Sequence, residues 1–131
     1  MKANAIVTDG LKHLGVIAVG ETPTAEDMQE GLTALNAMVR TWESEGIALG
    51  WNEPGLFDDT PTPELAEALG FVLATKLAGK YGIALDASTA AGAADGLNSI
   101  RAYSMRKQFN RLRYDDLPVG VGGCRGDFFD A

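Results

Sequence analysis

Between Thr24 and Trp51 the chain spells out one helix with its start, its buried face and its stop, and no other stretch constrains the fold as tightly. Pro23 precedes it, Thr24 can cap the first free backbone N–H groups, and Asp27 stands where the acidic half of a capping box belongs, with Glu26 adding negative charge at the positive end of the helix dipole. Met28, Leu32, Leu35, Met38, Val39 and Trp42 recur at steps of three and four, so they form one stripe, while Glu26, Gln29, Glu30, Thr33, Arg40 and Glu43 stay off it. Gly46 offers the left-handed residue that commonly ends a helix, and Ile47 to Trp51 runs on as a short extended apolar segment. The rest of the chain can be read as folding around this helix.

Three further helices are expected. Asn4 to Leu14 carries Ile6, Val7, Leu11 and Leu14 at helical spacing, with Gly15 at the C-terminal cap position and His13 in the last turn, where a cation suits the dipole. With no second histidine in the chain, a structural role for His13 is expected rather than a metal or catalytic one. Thr62-Pro63-Glu64 reads as a helix start, with threonine as cap, proline at the first position and an acid in the first turn. The apolar helix that follows, with Leu65, Leu69, Val72, Leu73, Leu77 and Tyr81 on one side, should be the most buried one, and Gly82 should end it. Asn52 to Pro61, with two prolines and the pair Asp58-Asp59, should be an exposed loop.

The fourth helix should begin at Asp86 or Ser88. Its first half, AAGAADG, lowers helix propensity but permits close backbone approach, so it needs a neighbour. Ala91, Asn98, Met105 and Leu112 recur every seven residues, with Ala102 and Phe109 between them, which predicts a packing seam running to about Arg113. Beside it, Arg101, Arg106, Lys107, Arg111 and Arg113 place five of the chain's eleven basic residues in thirteen positions. That patch suits an acidic partner surface, DNA phosphates or plain solvation. The last eighteen residues, Tyr114 to Ala131, have no helical period; Leu117, Val119, Phe128 and Phe129 in this arm suit docking on another subunit. The expected architecture is thus all-α: a small four-helix bundle-like domain over residues 1–113 and an extended C-terminal arm over 114–131.

A net charge of -7 argues against a protein that coats free nucleic acid, since phosphate neutralisation supplies nonspecific affinity. Cys124 is the sole cysteine, which suits a reducing compartment, and neither a membrane span nor a signal-peptide core is expected. There is no phosphate loop, nucleophile elbow or zinc spacing, and no cofactor is implied. Glu43, Glu45, Glu53, Asp58 and Asp59 could in principle supply a glycosidase pair, but surface charge is the simpler reading.

The order of these parts resembles the head-to-tail adaptor proteins of tailed bacteriophages, also called tail accessory or packaged-DNA-stabilisation proteins in short-tailed phages. An N-terminal helix ending in HLGV precedes a T-x-x-D helix start and LNAMVRTWESEGIALGW; an acidic proline-bearing loop, the helix PELAEALGFVLATKLAGKYG and an alanine-rich helix ending in arginines follow. The resemblance covers about residues 3 to 113 and is strongest from Leu35 to Trp51, while the short tail departs from relatives with longer extensions. It implies a structural virion protein, assembled in the bacterial cytoplasm, that forms a twelve-membered ring of neighbouring copies beneath the portal protein. Such a ring extends the channel for packaged double-stranded DNA and presents a docking surface to tail or nozzle proteins. Some members are said to hydrolyse peptidoglycan, so a cell-wall hydrolase is the alternative from the family, and a small helical interaction module outside virions is the alternative from the residues alone.

Overall fold

The stretch Ala66–Tyr81 carries apolar or small residues around most of its circumference, so only neighbours on several sides can satisfy it. The computed structural model describes residues 1–111, with side chains through Phe109, and shows an all-α fold built on that requirement. Helices α1 (Ala3–Leu14), α2 (Ala25–Ser44), α3 (Ala66–Tyr81) and α4 (Ala87–Arg111) follow one another, with a 3₁₀ turn at Pro63–Leu65 ahead of α3. Helix α3 packs against α1, α4 and α2, and it is the centre of the bundle. The expectation that the chain organises around α2 is therefore corrected: α2 has one apolar stripe and one wet face, whereas α3 buries Leu69, Gly70, Val72, Leu73, Ala74, Leu77 and Ala78.

Local signals set most helix ends. The Thr24 hydroxyl accepts from the Asp27 N–H at 3.2 Å and donates to the Asp27 carboxylate at 2.9 Å, so the expected cap is present. Gly15, Gly46 and Gly82 take left-handed backbone conformations, with φ of 81°, 89° and 64°, where α1, α2 and α3 stop. The start near Thr62 differs from expectation. Thr62 makes no side-chain cap; its hydroxyl is fully buried without a hydrogen-bond partner, and the chain enters α3 through the 3₁₀ turn.

Helix α1 has Lys2 at its N-cap position, and the Lys2 side chain makes no capping hydrogen bond. Its first N–H groups are satisfied from far along the chain: Ala3 donates to the Asp58 carbonyl at 3.1 Å and Asn4 to the Leu56 carbonyl at 2.9 Å. The Met1 carbonyl in turn accepts from the Thr60 N–H and hydroxyl, at 2.9 and 3.0 Å. Segment 52–61 is thus more than the exposed loop expected: Pro54 and Thr60 are buried while Phe57, Asp58 and Asp59 face solvent, and its backbone caps α1.

Glycines let the helices approach closely. A Cβ on Gly31 would lie 2.3 Å from Val7 Cγ1, which sets how near α2 comes to α1, and one on Gly10 would lie 3.2 Å from Leu73 Cδ2 where α1 meets α3. One continuous cluster results, with Ile6, Leu11, Leu35, Leu49, Leu69, Leu73, Leu77 and Ile100 fully buried. After α2, Leu49 plugs into this core and Trp51 donates its indole N–H to Asn36 Oδ1 at 2.8 Å, so the apolar run 47–51 returns along the helix it leaves.

Helix α4 turns a different face inward than its heptad spacing predicts. Thr89, Ala93, Gly96, Ile100 and Ser104 are the buried positions, whereas Ala91, Asn98, Ala102, Met105 and Phe109 are exposed. A Cβ on Gly92 would lie 2.8 Å from the Phe71 ring, and one on Gly96 would lie 3.1 Å from the Ala68 carbonyl oxygen. The small-residue face is consumed by α3 of the same chain, and it is not free for lateral packing between subunits. The reason is distance: glycine and alanine bring the backbones together and gain contact along both helices, a gain that methionine and phenylalanine would block sterically at these positions.

Candidate functional site

On α4, the more regular stripe of the sequence remains exposed after this packing, as Val19 and Phe57 do elsewhere. Met105 and Phe109, four residues apart on one face, are 58% and 65% exposed, and Ala91, Asn98 and Ala102 continue the stripe toward the N-terminal end. A seven-residue repeat of this kind is a helix-packing pattern, and here its partner is not supplied by α1, α2 or α3.

The basic residues do not form one cluster beside it. Arg101 and Arg106 are both exposed, but five residues of helix separate them, a rotation of roughly 140° at 3.6 residues per turn, so they flank the Met105–Phe109 stripe from opposite sides. Lys107 points toward the protein: its ammonium lies over the Tyr103 ring, 5.2 Å from the centroid. Near it, the Glu64 carboxyl is held below its usual range by its own backbone N–H first, then the Tyr103 hydroxyl, with the Lys107 charge contributing. Lys107 is therefore engaged with Tyr103 on its own helix. Arg111 is the last described residue, with its side chain beyond the described ones, and Arg113, Leu117, Val119, Phe128 and Phe129 lie outside the described residues.

A groove opens on the side of α3 that α1 leaves free, with α2 as one wall and α4 as the other. One compartment of about 480 Å³ has Ala34, Met38, Trp42 and Leu97 in its lining, with Lys76, Lys80, Arg101 and Glu45 also along it. A second, of about 280 Å³, shares Trp42, Lys76 and Leu97 and continues past Val72, Leu85 and Ala93. Lys80 reaches Glu30 at 3.1 Å, while Lys76 and Arg101 stand exposed from facing helices. A third cavity, about 350 Å³ between the start of α3 and α4, is lined by Glu64, Glu67 and Asp95 and has the opposite charge.

The five carboxylates named for a hydrolytic pair are all exposed. Glu53 pairs with Arg40, Asp58 accepts from the Gly55 N–H at 2.9 Å, and Asp59 lies 4.0 Å from the N-terminal ammonium. Among the described residues, no group of three or more His, Cys, Asp or Glu side chains is arranged to hold a metal ion, and no helix is long and apolar enough to cross a membrane. His13 stacks on Phe71, with ring centroids 4.0 Å apart and planes at 17°, and this contact joins α1 to α3. The α2–α4 groove has no sequence signature, because its cations come from three separated positions. No family model matches the sequence, and no curated protein matches it.

Proposed function

We propose that the chain is an assembling structural subunit, a head-to-tail adaptor that forms a ring under the portal of a bacteriophage capsid. The observation that carries the reading is the exposed apolar stripe of α4, where Met105 and Phe109 stand in solvent between Arg101 and Arg106. Large apolar side chains at packing spacing, rimmed by cations, are the anatomy of a protein interface. The resemblance of the helix order to the adaptor family supports the virion setting, and at the end of its most specific stretch, Leu35 to Trp51, the α2 exit turn is braced by α4: the Ser104 hydroxyl accepts from the Ala48 N–H at 3.1 Å, and the Gln108 amide donates to the Gly46 carbonyl at 2.9 Å.

In this reading the α4 stripe meets a neighbouring copy or the portal, Arg101 and Arg106 meet acidic groups at its rim, and the overall negative charge keeps channel DNA from adhering. Electron microscopy of the protein mixed with portal-bearing capsids tests it. A ring of copies below the portal is expected, and unoccupied portals at saturating protein would overturn the proposal.

A further inference from the structure

The groove between α2 and α4 combines two features that point to one kind of ligand. Its floor is apolar and contains Trp42, which is only 6% exposed, together with Met38 and Leu97. Its edges carry Lys76 from α3 and Arg101 from α4, in a chain whose net charge is -7. An occupant that buries two rings and presents carboxylates beside them would meet both conditions.

The same chain contains such a segment outside the described residues: Asp127-Phe128-Phe129-Asp130 has adjacent aromatic side chains flanked on each side by an acid. The groove has two adjoining compartments, about 480 and about 280 Å³, that meet at Trp42, Lys76 and Leu97. We infer that this groove is the docking site for residues 127–130 of the same chain. Phe128 and Phe129 enter the two compartments, and the flanking aspartates meet Lys76 and Arg101.

Chain length permits the return. The described part of α4 runs ten residues past Arg101 to Arg111, about 15 Å at 1.5 Å per residue. The sixteen residues 112–127 can cover up to about 50 Å when extended, so they exceed the distance along the helix severalfold. A tethered segment is also present at high effective concentration, which favours docking on its own chain over docking on another copy. Glu45 at the groove and Glu30 beside Lys80 oppose an acidic occupant, so the apolar floor must supply part of the affinity. The inference concerns the free subunit and stands whether or not the chain forms a ring.

Cys124, the sole cysteine, lies four residues before Phe128 and accepts a nitroxide label in the full-length protein. Amide NMR should then show the signals of Ala37 and Leu97 broadened several-fold relative to the reduced label. The broadening should be lost in Phe128→Ser/Phe129→Ser and weakened in Lys76→Gln/Arg101→Gln, both of which change groups outside the buried core. A mixed sample, with the nitroxide on unobserved chains and the isotope on unlabelled ones, should show no broadening at these amides. Broadening that survives the double phenylalanine change, that never appears, or that appears fully in the mixed sample would overturn the inference, the last by placing a second copy in the groove.

Discussion

The Tyr81 hydroxyl donates to Asp27 Oδ1 at 2.7 Å, joining the last residue of α3 to the first turn of α2. Burial first, then the hydrogen bond and the charge of Asp27, push the Tyr81 phenol up to about 12. On the other side, the hydroxyls of Tyr81 and then Thr24 hold the Asp27 carboxyl below its usual value. A raised folded-state value favours the neutral phenol, so the Tyr81 contribution is complete below the ordinary 10.0 and is lost as pH rises through about 12. The Asp27 contribution is present above 3.8 and is lost as pH falls through the lowered value. The stability of Tyr81→Phe should therefore fall less steeply than that of the parent between those two alkaline values. Urea midpoints measured against pH check this, and parallel curves would refute it.

Helix α2 can approach α1 only because position 31 has no side chain. Gly31→Ala would place a methyl 2.3 Å from Val7 Cγ1, and overpacking of a tight core costs about 1 to 3 kcal/mol. The gain in helix propensity, up to about 1 kcal/mol, should not offset the clash. Adding Val7→Ala should recover part of the loss, so the two changes should be non-additive in a double-mutant cycle. Strict additivity would show that the helices part without strain.

Trp42 is buried in the cluster that also holds Leu35, Met38, Leu69, Leu73 and Leu77, and its ring closes the inner side of the groove. Trp42→Ala should cost about 3 to 5 kcal/mol. A denaturation midpoint that barely moves would show that the ring contributes little to the core.

Thr62 gives a prediction of the opposite sign. Its hydroxyl is fully buried and lacks a partner, so Thr62→Val exchanges an unsatisfied polar group for a methyl of similar shape. An unpaired buried group carries a desolvation penalty of about 1 to 3 kcal/mol, and the variant should be as stable as the parent or more so. A loss of stability would mean that the hydroxyl is satisfied by water.

Features set by nearby residues were the legible part of this fold. The Thr24 cap involves a partner three residues away, and Gly15, Gly46 and Gly82 end helices through their own backbone freedom, so each could be read locally. Thr62 looked the same in sequence but faces the interior, because the chain reaches α3 through a 3₁₀ turn whose geometry is set by packing. The cap of α1 comes from carbonyls of Leu56 and Asp58, too distant in sequence to leave a pattern. On α4 the larger side chains drew the seam through Met105 and Phe109, whereas close approach at Gly92 and Gly96 decided the buried face. Among the basic residues of the α4 patch, Arg101 and Arg106 border an exposed face and Lys107 is engaged with Tyr103, whereas the groove cations Lys76 and Lys80 come from α3, with no sequence pattern joining them to Arg101.

The role proposed for the outer face of α4 is assembly. Cosedimentation of the protein with portal-bearing capsids, comparing the parent with Met105→Ser/Phe109→Ser, tests it most directly, because both side chains are exposed and their loss should leave the fold intact. The parent should pellet with the capsids in a fixed multiple per portal, and the equally stable variant should stay in the supernatant. A variant that pellets as the parent does, or a parent that never pellets, would contradict it.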